Sequence, residues 1–318
     1  MGRSFLSRLR ELSVRKETYS YNAVRVIVFH LPMLDKDKTT ILYIDLEKKE
    51  AEVKVHTDLT DWLGGLGVAV KLYSLFPGES PVVFTNGPFT LTFPFAPFTC
   101  TIFRSPGTGK IVDAYGGGSF AAMLGLAGYD GLVIRNKARR PMYLAIENEK
   151  VTFRTLREGE QAWQKEGLAG MRSVLESGAG GVTDGYFHFG TDELGGVLRA
   201  KNLLAVVVSG SHGYPLSDLA AYSSAYEETL AQSERLPVKS SNFPSCFGCP
   251  LGCQHSGKGL RESESDLAPF LVSCPFIGGF YKEVPLVFSL LSVLGLSLPH
   301  EQLEALPLRV AELRRTLM

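Results

Sequence analysis

The chain has 318 residues, and 45% of them are hydrophobic, enough to build the core of one or two globular domains. Lysine plus arginine number 33 and aspartate plus glutamate also number 33, so the charge balance favours neither nucleic acid nor an anionic membrane as a partner. No apolar run reaches the roughly 18 residues that a membrane-spanning helix needs. The composition predicts a soluble globular protein that neither crosses a membrane nor binds nucleic acid.

The first 40 residues are predicted to be an N-terminal extension. The opening segment is rich in arginine and serine, like an organelle transit peptide, but Glu11 and Glu17 argue against that function and no apolar signal core follows. We therefore expect a solvated amphipathic extension before the first domain.

Residues 41–210 are predicted to form a β-rich domain. Short β-branched and aromatic runs, each bounded by glycine, proline or charge, predict strands at 41–46, 52–56, 81–85, 99–103 and 131–135. A hairpin is predicted to join 142–146 to 151–154, because a polar turn separates them. Apolar residues at helical spacing after glycine-rich stretches predict helices at 68–75 and 119–126.

Residues 211–318 are predicted to form a smaller, mainly helical domain. A helix start at 214–218 leads into helical spacing up to Arg235, and two further helical patterns cover 284–295 and 301–317. The fold class that follows is α+β, with a β-rich domain before a helical one.

Four of the five cysteines lie between Cys246 and Cys274, which is typical of a metal centre in a reducing, cytoplasmic compartment. Cys246, Cys249 and Cys253 are separated by glycines and a proline, and glycine permits the positive backbone angles that a tight wrap of three thiols needs. A cubane cluster needs a fourth thiolate, and Cys274 is near enough in sequence to supply it. The pattern therefore predicts a 4Fe–4S cluster on these four cysteines.

Three other interpretations of the cysteines stay open. Zinc on four cysteines usually uses two C-x-x-C knuckles, and this chain has one. A redox-active dithiol would want the C-x-x-C motif to open a helix after a strand. Buried structural cysteines are the plainest alternative, and we prefer that interpretation for Cys100 alone, since it stands inside an apolar strand.

The histidines offer no second metal site. His188, His212, His255 and His300 are scattered and do not form an H-E-x-x-H motif. His255 follows Cys253 closely, so it is a candidate hydrogen-bond donor to a cluster sulfur, although a solvated loop position is the more common role. The chain also has no phosphate-binding loop of the G-x-x-x-x-G-K-[ST] type.

A series of glycine-rich motifs ends in C-x-x-C-P-L-x-C. In this order they resemble the aldehyde ferredoxin oxidoreductase family, whose members hold a tungsten–pterin cofactor and a 4Fe–4S cluster. The motifs are 62–67, 86–88, 105–109, 116–120, 127–131 and 201–203.

The resemblance also implies an internal shortening. The family's fourth cluster cysteine lies far beyond the first three, and residues 266–276, which contain Cys274, resemble that later segment. The region that carries much of the family's substrate pocket and its catalytic groups then has no counterpart, so catalytic residues are unknown and catalytic activity of the chain's own is left open.

The pterin end of the resemblance is altered as well. Leu66 and Phe98 stand where the family has arginines, Tyr115 replaces an asparagine, and Thr191 replaces another arginine. Phosphate groups are held by guanidinium forks and paired polar groups, so these changes argue against a retained tungstopterin. The glycines that would approach such a cofactor, if one is retained, are Gly117, Gly118, Gly195 and Gly196.

The leading hypothesis from the sequence is an iron–sulfur electron-transfer or companion subunit of this oxidoreductase family. Its partner would be a ferredoxin-like protein or another redox subunit, and the sequence is compatible with an oligomer. The alternatives are an active tungsten–pterin oxidoreductase that acts on aldehydes or other oxo compounds with ferredoxin as acceptor, and an assembly module whose cluster is only a structural staple.

Overall fold

The computed structural model describes residues 11–13, 15–21, 24–30, 38–157, 159–166, 172–178, 182–183, 189, 191, 193–213, 216, 218–256, 258, 260–261, 267–277 and 279–317. The strands in chain order are β1 (Glu11–Ser13), β2 (Arg15–Tyr21), β3 (Val24–His30), β4 (Thr39–Asp45), β5 (Glu50–His56), β6 (Val82–Thr85), β7 (Phe98–Arg104), β8 (Ile111–Gly117), β9 (Gly131–Arg135), β10 (Met142–Glu147), β11 (Lys150–Thr155), β12 (Ser173–Ser177), β13 (Val182–Thr183), β14 (Leu203–Ser209) and β15 (Leu260–Arg261). The α-helices are α1 (Gly65–Ser74), α2 (Ser119–Leu126), α3 (Ala162–Glu166), α4 (Glu193–Ala200), α5 (Leu219–Ala231), α6 (Ala268–Leu271), α7 (Val284–Val293) and α8 (His300–Arg315).

The strands form two mixed sheets. The first has the order β1-β5-β4-β9-β6-β7-β8-β15, and the second has the order β13-β12-β14-β10-β11-β3-β2. Most neighbours are antiparallel, but β4 pairs with β9 and β10 with β14 in parallel. The predicted hairpin is confirmed as β10 and β11, and the predicted α+β fold class is confirmed.

The first sheet is buried on both faces. Along β4, Ile41 and Tyr43 pack in a core shared with the helices, whereas Leu42 and Ile44 pack in the core between the two sheets. Because both faces are covered, this strand is a continuous apolar run instead of an alternating one.

The helices of the last third of the chain cover the outer face of the first sheet. Leu291 of α7 and Leu306 of α8 belong to the same buried cluster as Leu72 of α1 and Val83 of β6. The division at 210/211 therefore stays a prediction, because the helical segment and the first sheet share one core. No helix among the described ones is both long and apolar enough to cross a bilayer.

Part of the N-terminal extension belongs to the second sheet. β2 and β3 form a hairpin, and β3 pairs with β11. Residues 16–20 are exposed, as expected for a solvated extension, but Ile27 is 1% exposed and packs between the sheets. The prediction of a solvated extension therefore does not hold for β3, because Ile27 packs in the core. Residues 1–10 lie outside the described part of the chain.

Candidate functional site

The loop that carries three of the cysteines is built on turns. The Cys249 N–H donates to the Cys246 carbonyl at 2.9 Å, and Gly248 and Gly252 have φ angles of 78° and 50°. A Cβ atom on Gly252 would lie 2.4 Å from the Phe243 carbonyl oxygen, so only glycine allows this close approach. The local sequence thus folds as a wrapped loop.

The backbone N–H and C=O groups of Phe95 connect this loop to Cys274. The Phe95 N–H donates to the Gly248 carbonyl at 3.3 Å, and the Phe95 carbonyl accepts from the Cys274 N–H at 2.7 Å. Phe95 is fully buried and has a φ of 67°, a left-handed conformation that is uncommon for a bulky residue. Next to it, the Phe98 N–H donates to the Val272 carbonyl at 3.3 Å. The two cysteine segments are therefore held at the same place.

The four thiols influence one another electrostatically. The pKa of the Cys274 thiol is raised to about 12, chiefly by burial and then by the negative charges of the other three thiolates, while a hydrogen bond from the Phe276 backbone lowers it. The pKa of Cys249 is raised to about 11, first by burial and then by the charges of Cys246 and Cys253, and a hydrogen bond from the Leu251 backbone lowers it.

Cys100 has a different environment. It is fully buried in β7, and burial raises the pKa of its thiol well above the usual value, with further effects from Asp113, Tyr115 and Arg314. Its electrostatic neighbours thus belong to the sheet and to α8.

The donor set suits a cluster more than a single ion. Within the described residues, no three histidine, cysteine, aspartate or glutamate side chains are close enough to hold one metal ion. A zinc ion draws its thiolates to about 2.3 Å from one centre, whereas each thiolate of a cubane cluster binds a different iron, so the sulfurs stand farther apart. Four cysteine thiols on two neighbouring segments are the set of ligands that such a cluster takes.

The histidines play other roles where they are described. The His255 ring stacks on Phe276, with centroids 4.1 Å apart and planes 6° apart, beside the cysteine segments. His212 lies 3.0 Å from Glu149, and His300 packs on the Phe288 ring at 4.2 Å. His188 lies outside the described residues.

The glycine-rich end of the first sheet is closed by aromatic side chains. A Cβ atom on Gly116 would lie 2.6 Å from the ring of Phe189, which forms a bridge with this strand. Leu66, Phe98, Tyr115 and Thr191 are all at least nine-tenths buried. The family's cation and amide positions are therefore occupied by packed side chains.

The four candidate cofactor glycines do not share one environment. Gly117 pairs with Phe98 between β8 and β7, and Gly118 precedes α2 with a φ of 101°. Gly195 is buried within α4, whereas Gly196 is exposed and a Cβ there would meet open space.

Tyr115 also belongs to a polar network in which Arg314 is paired with a carboxylate. Its hydroxyl donates to Asp113 at 2.9 Å, and Asp113, 1% exposed, lies 2.6 Å from an Arg314 nitrogen of α8. The Arg314 guanidinium is thus engaged by Asp113 and is not available to a phosphate.

Helix α6 covers the remaining glycine turns. A Cβ atom on Gly65 would lie 2.2 Å from the Pro269 carbonyl oxygen, and one on Gly87 would lie 2.5 Å from the backbone of Leu271. Protein backbone therefore packs directly against Gly65 and Gly87 on the α6 side, where the residues present leave no room for a phosphorylated pterin.

These features agree with a comparison of the chain with known families. Residues 41–210 match the N-terminal domain of aldehyde ferredoxin oxidoreductase. The chain belongs to the aldehyde ferredoxin oxidoreductase family. Its motifs and its two-sheet fold are therefore those of a family member, as the sequence resemblance indicated.

The relatives are much longer than this chain. The tungsten-containing aldehyde ferredoxin oxidoreductase of Pyrococcus furiosus is 29% identical over 210 residues, which are 58% of this chain and 34% of the relative. The same enzyme of Thermococcus kodakarensis is 27% identical over 231 residues, 64% and 38% respectively. The WOR-like subunit of the aliphatic sulfonate oxidoreductase of Pyrococcus furiosus is 27% identical over 221 residues, 55% and 35% respectively. The chain thus spans little more than a third of these family members.

A solved structure shares the fold. The active site complex BamBC of benzoyl coenzyme A reductase, in complex with 1,5-dienoyl-CoA, superposes with a TM-score of 0.57 and 24% identity, covering 69% of this chain and 38% of the other.

Sequence reasoning missed three residues that shape the site, namely Phe95, Phe189 and Arg314. Phe95 acts through its peptide group, which no side-chain pattern reveals. Phe189 and Arg314 lie far in sequence from the residues they contact, and a single sequence carries no signal for such pairs.

Proposed function

We propose that this chain holds a 4Fe–4S cluster on Cys246, Cys249, Cys253 and Cys274, and that it transfers electrons as a companion subunit without a complete tungstopterin site. The main support for the proposal is that both cysteine segments form hydrogen bonds with the backbone of Phe95. A bound cubane cluster supplies a one-electron carrier. A reducing compartment such as the cytoplasm suits free thiols of this kind.

The chain's own residues would set the properties of that carrier. Backbone N–H groups of Leu251 and Phe276 are directed at the Cys249 and Cys274 sulfurs, and hydrogen bonds to ligand sulfurs raise a cluster's reduction potential. Cys253 is the most buried ligand, at 7% exposure, whereas Cys246 is partly exposed. Electrons would therefore enter or leave on the side of Cys246, Cys249 and Cys274, which are all partly exposed, and not through Cys253.

Two relatives support the companion role. One of them is named as a subunit, and the solved structure is a complex of two named components. The packed side chains at the positions where the resemblance implied pterin-binding groups also support the companion role. A chain without that cofactor needs another protein to supply or consume its electrons.

Iron analysis of two serine variants tests the proposal. The anaerobically purified chain should contain about four irons and matching sulfide. Cys249→Ser should lose iron and visible thiolate-to-iron absorption, because one iron loses its ligand. Cys100→Ser is the matched control and should keep both, because Cys100 lies in β7 among sheet residues.

Each alternative has its own outcome. Full iron in Cys249→Ser would contradict the ligand assignment, and one zinc per chain would replace the cluster with a mononuclear site. A cluster that dithionite cannot reduce, judged by electron paramagnetic resonance, would favour the structural staple. Stoichiometric tungsten or molybdenum with pterin would favour an active oxidoreductase.

A further inference from the structure

We propose that Phe243 and Phe247 form a docking surface for an acidic electron-transfer protein, an inference that rests on the proposed function. Phe243 is 55% exposed and Phe247 is 44% exposed. Phe247 stands between two proposed cluster ligands, and Phe243 precedes the first of them by three residues. Large aromatic side chains in water beside a redox centre are more typical of an interaction surface than of an isolated surface residue.

The loop that presents these rings is fixed in place. The Ser241 N–H donates to the Gly252 carbonyl at 3.2 Å, and the Gly248 carbonyl accepts from Phe95 of the core. The Phe243 backbone also packs against Gly252. A partner would thus meet preorganised rings, which lowers the entropy cost of docking.

The charge of the loop indicates the kind of partner. From Arg235 to Lys258 the sequence contains three cations and no carboxylate, between Glu234 and the acidic run 262–266. Arg235, Lys239 and Lys258 are exposed. An acidic protein would be attracted to this surface, and steering of that kind speeds weak, transient electron-transfer encounters. The acidic run 262–266 that follows lies outside the described residues.

A second copy of the chain is the less suitable occupant. A twofold contact through this loop would bring together two surfaces of the same positive sign, and like charges at an interface cost binding free energy. The same charges favour a partner of opposite sign.

The docking surface also lies near the electron path. Phe247 is one residue from Cys246, and Cys246 is only partly buried. A carrier seated on the two rings would therefore approach the proposed cluster beside Cys246 and Cys249, both of which are partly exposed.

The test measures binding by isothermal titration calorimetry, with an acidic plant-type 2Fe–2S ferredoxin as the probe and the full, iron-loaded chain. The double variant Phe243→Ser/Phe247→Ser should bind at least about tenfold more weakly, a loss equal to about 1.4 kcal/mol and modest for two aromatic anchors. The matched control Leu219→Ser/Leu308→Ser removes side chains that are 68% and 61% exposed elsewhere, and its affinity should match the parent chain.

A charge variant tests the steering. Lys239→Glu should weaken binding and flatten its salt dependence, whereas Lys137→Glu, an exposed lysine in the turn after β9, should change neither. Iron content, measured for every sample, must stay at the parent level, so that lost binding reports the surface and not the cluster.

Three outcomes would overturn the proposal. Unchanged affinity in the phenylalanine variant, or no binding by the iron-loaded parent, excludes this surface while leaving the cluster proposal intact. A concentration-dependent dimer that the phenylalanine substitutions abolish would assign the surface to a second copy. A parent chain without iron would overturn the proposed function and, with it, this inference.

Discussion

Asp113 is a carboxylate inside the protein, and its position depends on two partners. It accepts a hydrogen bond from Tyr115 and pairs with Arg314, whose guanidinium also donates to the Ile111 carbonyl at 3.0 Å. A buried charge with partners is tolerated, whereas one that loses its counter-ion is strongly destabilising. These contacts join α8 to β8.

Arg314→Gln should therefore lower the free energy of unfolding by about 2–3 kcal/mol, less than for a fully buried pair because the arginine side chain is 25% exposed. Urea denaturation measures the change. Arg315→Gln, an exposed neighbour on the same helix, is the control and should stay within about 0.5 kcal/mol of the parent. Equal losses in the two variants would show that the ion pair between Asp113 and Arg314 makes no specific contribution to the free energy of unfolding.

At the scale of elements, α6 determines where Cys274 lies. This short helix packs its backbone against the glycine turns of α1 and β6, and the chain then reaches Cys274 within three residues. A displacement of α6 would therefore also move Cys274.

Gly87→Ala should displace it. The added methyl group would lie 2.5 Å from the Leu271 carbonyl carbon and oxygen, and backbone cannot move aside as a flexible side chain can. We expect a stability loss of about 2–4 kcal/mol and reduced iron per chain. Gly78→Ala is the control, because nothing lies within 4 Å of its Cβ position, and it should retain stability and iron. Full iron in Gly87→Ala would separate α6 from the cluster site.

The elements that sequence could predict are those with a local signal. The predicted strand at 131–135 and the predicted helix at 119–126 coincide with β9 and α2, because apolar runs and glycine boundaries are written in adjacent residues. The helix start at Asp218 is confirmed by its side chain accepting from the Ala221 N–H at 2.9 Å.

Other elements gave too weak a local signal. β8 ends in glycines, so its sequence indicates a glycine motif and not a strand. β2 is an edge strand with polar residues on both faces, so it has no alternating apolar pattern. At the site, the four cysteines were named from spacing alone, since thiol chemistry is local. The closing rings and the Arg314 pair depend on contacts between distant segments, which no spacing rule predicts.

At the scale of the whole molecule, helices and a second sheet cover the two faces of the first sheet, and packed side chains occupy the positions at which the family resemblance implied phosphate-binding groups. Burying phosphates without paired cations costs several kcal/mol per charge. The chain purified anaerobically from cells grown with tungstate and molybdate should therefore contain neither metal, and it should not oxidise aldehydes with a dye acceptor. Mass spectrometric metal analysis checks this, with a full-length tungsten-containing relative as the positive control.

The hydrogen bonds of the Phe95 backbone affect the order in which parts of the protein fold. Phe95 lies early in the chain, whereas Gly248 and Cys274, which it joins, are synthesised much later. Contacts between such distant segments form late in folding, because closing a long loop costs chain entropy before the contact can repay it. On the proposed ligand assignment, iron delivery would have to wait until the last third of the chain has left the ribosome and docked on a finished sheet, and cluster loading would then report correct folding.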